Sequence, residues 1–105
     1  MVDQNHILQL IKDTVIKTEP EATIILYGSY ARGDFNNDSD IDLLILLDKE
    51  KITHEDRVNI SYPLYDIQFD QGIQISPMVY SKNLWYNRQM VTPFYENVIK
   101  EGKIL

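Results

Sequence analysis

The segment "DIDLLILL" (40–47) constrains this chain more than any other stretch. Strand side chains alternate between faces with period two. Beyond Asp42 every position is apolar, so both faces of such a strand are apolar. A strand of that kind belongs in the middle of a sheet covered on both sides. The chain has 105 residues, which suits one domain spanning 1–105. A domain of this size buries roughly 60–70% of the surface its unfolded chain exposes, enough for one core.

The neighbouring segments supply the cover. From Asp3 to about Thr18, apolar residues at Ile7, Leu8, Leu10, Ile11, Val15 and Ile16 recur at spacings of three and four, which predicts an amphipathic helix. Asp3 is its expected N-cap and Pro20 its stop. "ATIILY" (22–27) is short, apolar and β-branched, and reads as a strand broken by Gly28 and Ser29. "SYARGD" fits one helical turn ended by Gly33, and "FNNDS" has loop chemistry. Thr53, with Asp56 three residues on, has the outline of a capping box for a helix reaching about Asp70. Pro63 lies inside that helix and is expected to kink or split it, and Gln71 and Gly72 close it. "IQISPMVY" (73–80) alternates like a strand, and Pro77 assigns it to an edge or a bulge. "KNLWYNRQM" after Ser81, and "PFYENVIKEG" after Thr92 with Pro93 at its first position, read as two further helices. The order is α-β-(α)-β-α-β-α-α, helices packed on a small sheet.

Charge and composition exclude several functions. The formal net charge is -6 and no Lys/Arg cluster is present. Nucleic acid, which favours a basic surface, is therefore not the expected primary partner. A metal-bridged nucleotide stays compatible, because the cation brings the positive charge. There are no cysteines, so disulfides and Cys-based zinc sites are impossible. His6 and His54 lie far apart and read as surface residues. The first residues lack the pattern of a signal peptide, and no apolar run approaches a membrane span. No membrane association is expected, and the cytoplasm is the default location.

The polar residues before the central strand carry the chemistry. Asp40 and Asp42 share a face and Ile41 takes the other. Two ionised carboxylates so close repel each other unless a cation lies between them. Mg²⁺ suits such a pair, since it often binds one or two carboxylates together with substrate phosphates. Gly28 lets the backbone turn sharply or approach a ligand. A helical turn starting at Ser29 offers free N–H groups and a hydroxyl to an anion, and Arg32 can reach a phosphate. Singly, each feature has an ordinary explanation: a solvated acidic pair, a turn, a surface arginine. Ten residues separate Ser29 from Asp40, and the set at that spacing is far more specific than any part of it.

Gly28-Ser29, ten residues, then Asp40-x-Asp42 is similar to the signature of the DNA polymerase β-like nucleotidyltransferase superfamily. The fuller text "GSYARGDFNNDSDIDLLI", with "ISPMVYS" and "PFYENVIKEGKIL", resembles the minimal nucleotidyltransferase group, called MNT or MntA-like, over most of the chain. The resemblance implies an α/β (α+β) fold, a small mixed β-sheet flanked by helices. It implies Mg²⁺-dependent transfer of a nucleoside monophosphate from a nucleoside triphosphate to a hydroxyl. ATP is the expected donor, since some members adenylylate a tyrosine of their partner. It implies a HEPN-domain partner protein in a toxin–antitoxin module. Gly28, Ser29 and Arg32 would hold the nucleotide, and Asp40 and Asp42 would be the catalytic and metal-binding pair.

The superfamily also uses a third carboxylate, on the strand after the long helix, and the aligned residue is Gln74. Glutamine carries no charge and cannot act as a general base. Asp66 and Asp70 belong to the preceding helix and read as solvated charges. Transfer would then be weakened, or a ligand would be borrowed from elsewhere. The alternative function is an antitoxin-like subunit that neutralises a HEPN partner by binding it. Of the aromatic residues, Tyr27, Tyr65, Tyr80 and Trp85 read as core or boundary. Tyr30 could touch a nucleotide, although core packing is the commoner use. The C-terminal tail is expected to pack on the sheet.

Overall fold

The computed structural model describes residues 4–36, 38–87 and 92–105. In chain order the elements are α1 (Gln4–Thr18), β1 (Thr23–Tyr27), α2 (Ser29–Arg32), β2 (Ile41–Leu47), α3 (His54–Gln71), β3 (Ile75–Ser81), α4 (Lys82–Tyr86), α5 (Pro93–Glu101) and β4 (Lys103–Ile104). The four strands form one sheet in the order β3-β2-β1-β4. β2 runs parallel to β3 and antiparallel to β1, and β4 pairs antiparallel with β1. The sheet is therefore mixed and flanked by helices, as expected.

β2 is central and residues 43–47 are all fully buried. Its two faces feed two cores. Ile41, Leu43, Ile45 and Leu47 join Ile24 and Leu26 of β1, Ile75 and Val79 of β3, and the apolar stripes of α1 and α3. Leu44 and Leu46 turn the other way and pack with Ile25, Trp85 of α4 and Val98 of α5. Around Trp85 the rings of Tyr80, Phe94 and Tyr95 lie 5.0 to 6.0 Å away, centre to centre.

Local chemistry explains the boundaries. Thr53 Oγ1 accepts the Asp56 N–H at 3.1 Å, and Asp56 Oδ2 accepts the Thr53 N–H at 3.0 Å. This is a full capping box, and it starts α3. α3 continues through Pro63 to Gln71, so the expected split does not occur. Thr92 caps α5, with Pro93 in the first turn. β3 starts two residues later than its alternation suggested, and Pro77 sits opposite Leu43 on this edge strand. The short return strand β4 was not anticipated. The expected N-cap Asp3, and residues 88–91 with the end of the helix read after Ser81, lie outside the described residues. Among the described residues, no helix is long and apolar enough to cross a membrane.

Candidate functional site

One end of the sheet gathers the residues singled out in the sequence. β1 ends at Tyr27, β2 begins beside it, and the register pairs Tyr27 with Asp42 and Asp42 with Ser76. Asp42 has the same strand parity as Leu44 and Leu46, so its carboxylate opens on the α4–α5 side of the sheet. Asp40 precedes β2, and its Oδ2 accepts the Ser76 hydroxyl at 3.4 Å. The two aspartates thus share one face, as their spacing predicts.

Gly28 lies against this pair at φ 76°, ψ -158°. That combination is essentially restricted to glycine. A Cβ here would also run into Asp42 Oδ2, so the missing side chain is what lets the β1 turn close over the carboxylate. α2 follows as one helical turn, with Ser29 half-buried at its start and Gly33 stopping it. Tyr30 and Ala31 of α2 are buried in the larger core, and Tyr30 stacks on Phe35 at 4.4 Å. Tyr30 is thereby a packing residue. Arg32, one turn after Gly28, directs its guanidinium to two carboxylates, Asp34 and Glu101.

A carboxylate that the sequence did not single out meets these groups. Glu101, the last residue of α5, accepts the Gly28 N–H through Oε1 at 3.0 Å. Arg32 Nη1 donates to both oxygens of Glu101, at 3.2 and 3.1 Å, and Arg32 Nε donates to Asp34 Oδ2 at 3.1 Å. Burial pushes the Asp42 carboxyl above its ordinary range; Asp40 and Glu101 add repulsion, and the positive charge of Arg32 opposes them. Tyr27 is pushed up to about 12, by burial first and then by the charge of Asp42, so its hydroxyl stays protonated and donates to Met78 Sδ.

The β3 residue beside the aspartates is Ser76 rather than Gln74. Gln74 precedes β3, and its carbonyl accepts the Ile41 N–H. Neither residue is acidic. Asp66 and Asp70 are exposed on α3, as expected of solvated charges. Among the described residues, no group of three or more His, Cys, Asp or Glu is arranged to hold a metal ion. The Asp40–Asp42 face of the site thus offers two carboxylates and the Ser76 hydroxyl, with the Glu101 carboxylate held by Gly28 and Arg32. That donor set fits Mg²⁺ held by an acidic pair, with its remaining positions taken by phosphate oxygens and water.

A family model described as polymerase beta, nucleotidyltransferase, matches residues 9–105. The chain belongs to this nucleotidyltransferase family. It is a minimal nucleotidyltransferase of the polymerase β-like superfamily. The nucleotidyltransferase is 36% identical over 85 residues to "Putative protein adenylyltransferase MJ0604" of Methanocaldococcus jannaschii, covering 78% of this chain and 75% of that protein. "Putative protein adenylyltransferase MJ0141" of the same organism is 37% identical over 87 residues, covering 75% of this chain and 84% of that protein. Among solved structures, a mutant of the toxin–antitoxin MntA-HpeT superposes with a TM-score of 0.56 at 23% identity, over all of this chain and 72% of that one. A toxin–antitoxin with AMP-PNP superposes at 0.53 and 23% identity, over 98% of this chain and 72% of that one. These two likenesses establish the fold.

Two residues that meet these groups in the nucleotidyltransferase, Glu101 and Ser76, carry no mark in the sequence. Ser76 was legible only through strand register. Glu101 is 73 positions from Gly28 and is the last residue of an ordinary amphipathic helix, so nothing local marks it.

Proposed function

We propose that this nucleotidyltransferase binds a nucleoside triphosphate, ATP by preference, with Mg²⁺ and transfers the nucleoside monophosphate to a hydroxyl on a partner protein. The observation that carries the reading is the shared face of Asp40 and Asp42 directly beside the glycine turn at Gly28. In this reading Asp40 and Asp42 hold the metal, which supplies charge neutralisation to the triphosphate. Gly28 and Ser29 present backbone and hydroxyl donors to the phosphates, and Arg32 adds a guanidinium. The acceptor oxygen attacks the α-phosphorus, the bond from that phosphorus to pyrophosphate breaks, and the acceptor's proton passes to solvent. Residues 1–105 act together as one nucleotidyltransferase domain, working in the cytoplasm where nucleoside triphosphates are supplied.

The acceptor partner we propose is a HEPN-domain toxin, with this chain as its antitoxin. The likeness to the M. jannaschii putative protein adenylyltransferases supports a protein acceptor, the toxin–antitoxin neighbours support a toxin as that partner, and the choice of a HEPN domain rests on the resemblance of the sequence alone. Calorimetry with ATP, GTP, CTP and UTP in Mg²⁺ tests the nucleotide site. Metal-dependent binding by the wild type, lost in Asp40→Asn/Asp42→Asn, is expected. No binding of any nucleotide by well-folded protein would reject the reading.

One observation favours a second reading. The β3 position beside the aspartates is serine, and Gln74 before it is also uncharged. A site of this kind could retain nucleotide while transferring slowly, and the chain would then neutralise its partner by complex formation. Intact-mass measurement of the co-purified partner separates the two. A nucleotide adduct that disappears with Asp42→Asn supports transfer; an unmodified but silenced partner supports occlusion.

A further inference from the structure

The donors proposed to hold substrate phosphate already hold an anion, and it comes from the chain itself. The Gly28 N–H and the Arg32 guanidinium both donate to Glu101. These are charge-assisted contacts of the kind a phosphate oxygen would make. Glu101 is the less exposed partner, its side chain 19% accessible against 46% for Arg32. Its placement is built rather than incidental. The next residue, Gly102, donates its N–H to the Val98 carbonyl at 2.7 Å. A Cβ on Gly102 would collide with that carbonyl and with Ile25 of β1. β4 then pairs with β1, and the Leu105 N–H bonds the Ile24 carbonyl at 2.9 Å. The end of α5 is thus fastened on both sides of Glu101 to the strand that leads into Gly28.

We propose that Glu101 is an internal competitor for substrate phosphate: its carboxylate occupies the Gly28–Arg32 cradle, and a nucleoside triphosphate binds by displacing it. This rests on the nucleotide reading above. The carboxylate also stands near Asp42 and adds repulsion there, so the closed arrangement crowds negative charge that Arg32 and the Gly28 N–H offset. Displacement frees both donors for phosphate and removes one anion from the acidic pair. Glu101 thereby sets the apparent affinity of the site, because only molecules with the side chain swung out are competent to bind.

The test is calorimetry of ATP with Mg²⁺ on the full chain, comparing wild type, Glu101→Gln, Glu101→Asp and Glu96→Gln. Glu96 is exposed on the same helix and controls for the loss of one negative charge. If the competent state is a minor one, Glu101→Gln binds roughly tenfold tighter than wild type, and Glu96→Gln is unchanged. Glu101→Asp, one methylene shorter, falls between and covers the case where the glutamine variant does not fold. Equal or weaker binding by folded Glu101 variants, with wild type binding normally, overturns the proposal and leaves the nucleotide reading intact. An equal gain in Glu96→Gln overturns it too, since bulk charge would then explain the effect. No binding by any of the four proteins rejects both readings.

Discussion

Gly28 and Asp42 share one small volume, and their chemistry fixes what each can become. Gly28→Ala places a Cβ in a backbone region that side chains avoid and against the Asp42 carboxylate. A cost of roughly 1–3 kcal/mol is expected from the strained conformation alone, read as a lower urea midpoint, together with loss of nucleotide binding. Asp42 behaves in the opposite sense. Its carboxyl pKa is higher in the fold than in the unfolded chain, so ionisation weakens the fold. The penalty is absent well below the ordinary aspartate range, grows as pH rises through that range, and levels off above the raised value. Asp42→Asn should therefore be more stable than wild type at pH 7 and indistinguishable from it near pH 3, while binding no nucleotide. Urea melts at the two pH values check this. At this scale the sequence disclosed the acidic pair and the glycine through spacing alone. It could not disclose Ser76, which depends on register, or Glu101, which depends on how a distant helix ends.

At the scale of elements, α3 offers a second pH-dependent device, distant in function from the site. Asp56 closes the capping box with Thr53 and accepts a hydrogen bond from Lys49 Nζ at 2.7 Å. The Lys49 contact first, and then the Thr53 backbone N–H, hold its carboxyl at about 2. A depressed carboxylate stabilises the fold above its unfolded value and loses that contribution as pH falls toward the folded value. Stability should thus decline between roughly pH 4 and pH 2, and Asp56→Asn should flatten that part of the profile in thermal melts. Thr53→Ala should cost about 1 kcal/mol by removing the cap. Elements with strong local signals were readable: the Thr53 cap, Pro93 at the start of α5, the stop at Gly72, and the apolar run of β2. Two details were not. Pro63 alone suggested a break, but Ile60, Leu64 and Ile67 on the same helix are buried against the sheet and hold it together. β4 has two residues and no pattern, and exists because α5 delivers it to the free edge of β1.

Across the whole molecule, β2 divides one sheet into two unequal cores with different duties. Leu43 faces α1 and α3, and Leu44 faces α4 and α5 beneath the acidic pair. Truncating either to Ala should cost on the order of 2–5 kcal/mol, measured by chemical denaturation. Leu43→Ala should leave nucleotide affinity nearly intact under native conditions. Leu44→Ala should also change it, because α5, which carries Glu101, rests on that smaller core. The architecture was legible because β2 demanded cover on both faces and the helices had stripes to provide it. Which helix covers which face was not written in any local segment.

The pairing of β4 with β1 has a consequence for the newborn chain. A ribosome releases β1, α2 and β2 within a few dozen residues of each other, so the glycine turn and the acidic pair can meet early. The strand that borders β1 on its other side, and the glutamate that sits on Gly28, are translated more than seventy residues after Gly28. Until then β1 has one open edge and the arginine has no Glu101 to bind. The interval between those two moments is when this protein's unpaired strand edge is most exposed to pairing with a neighbouring chain.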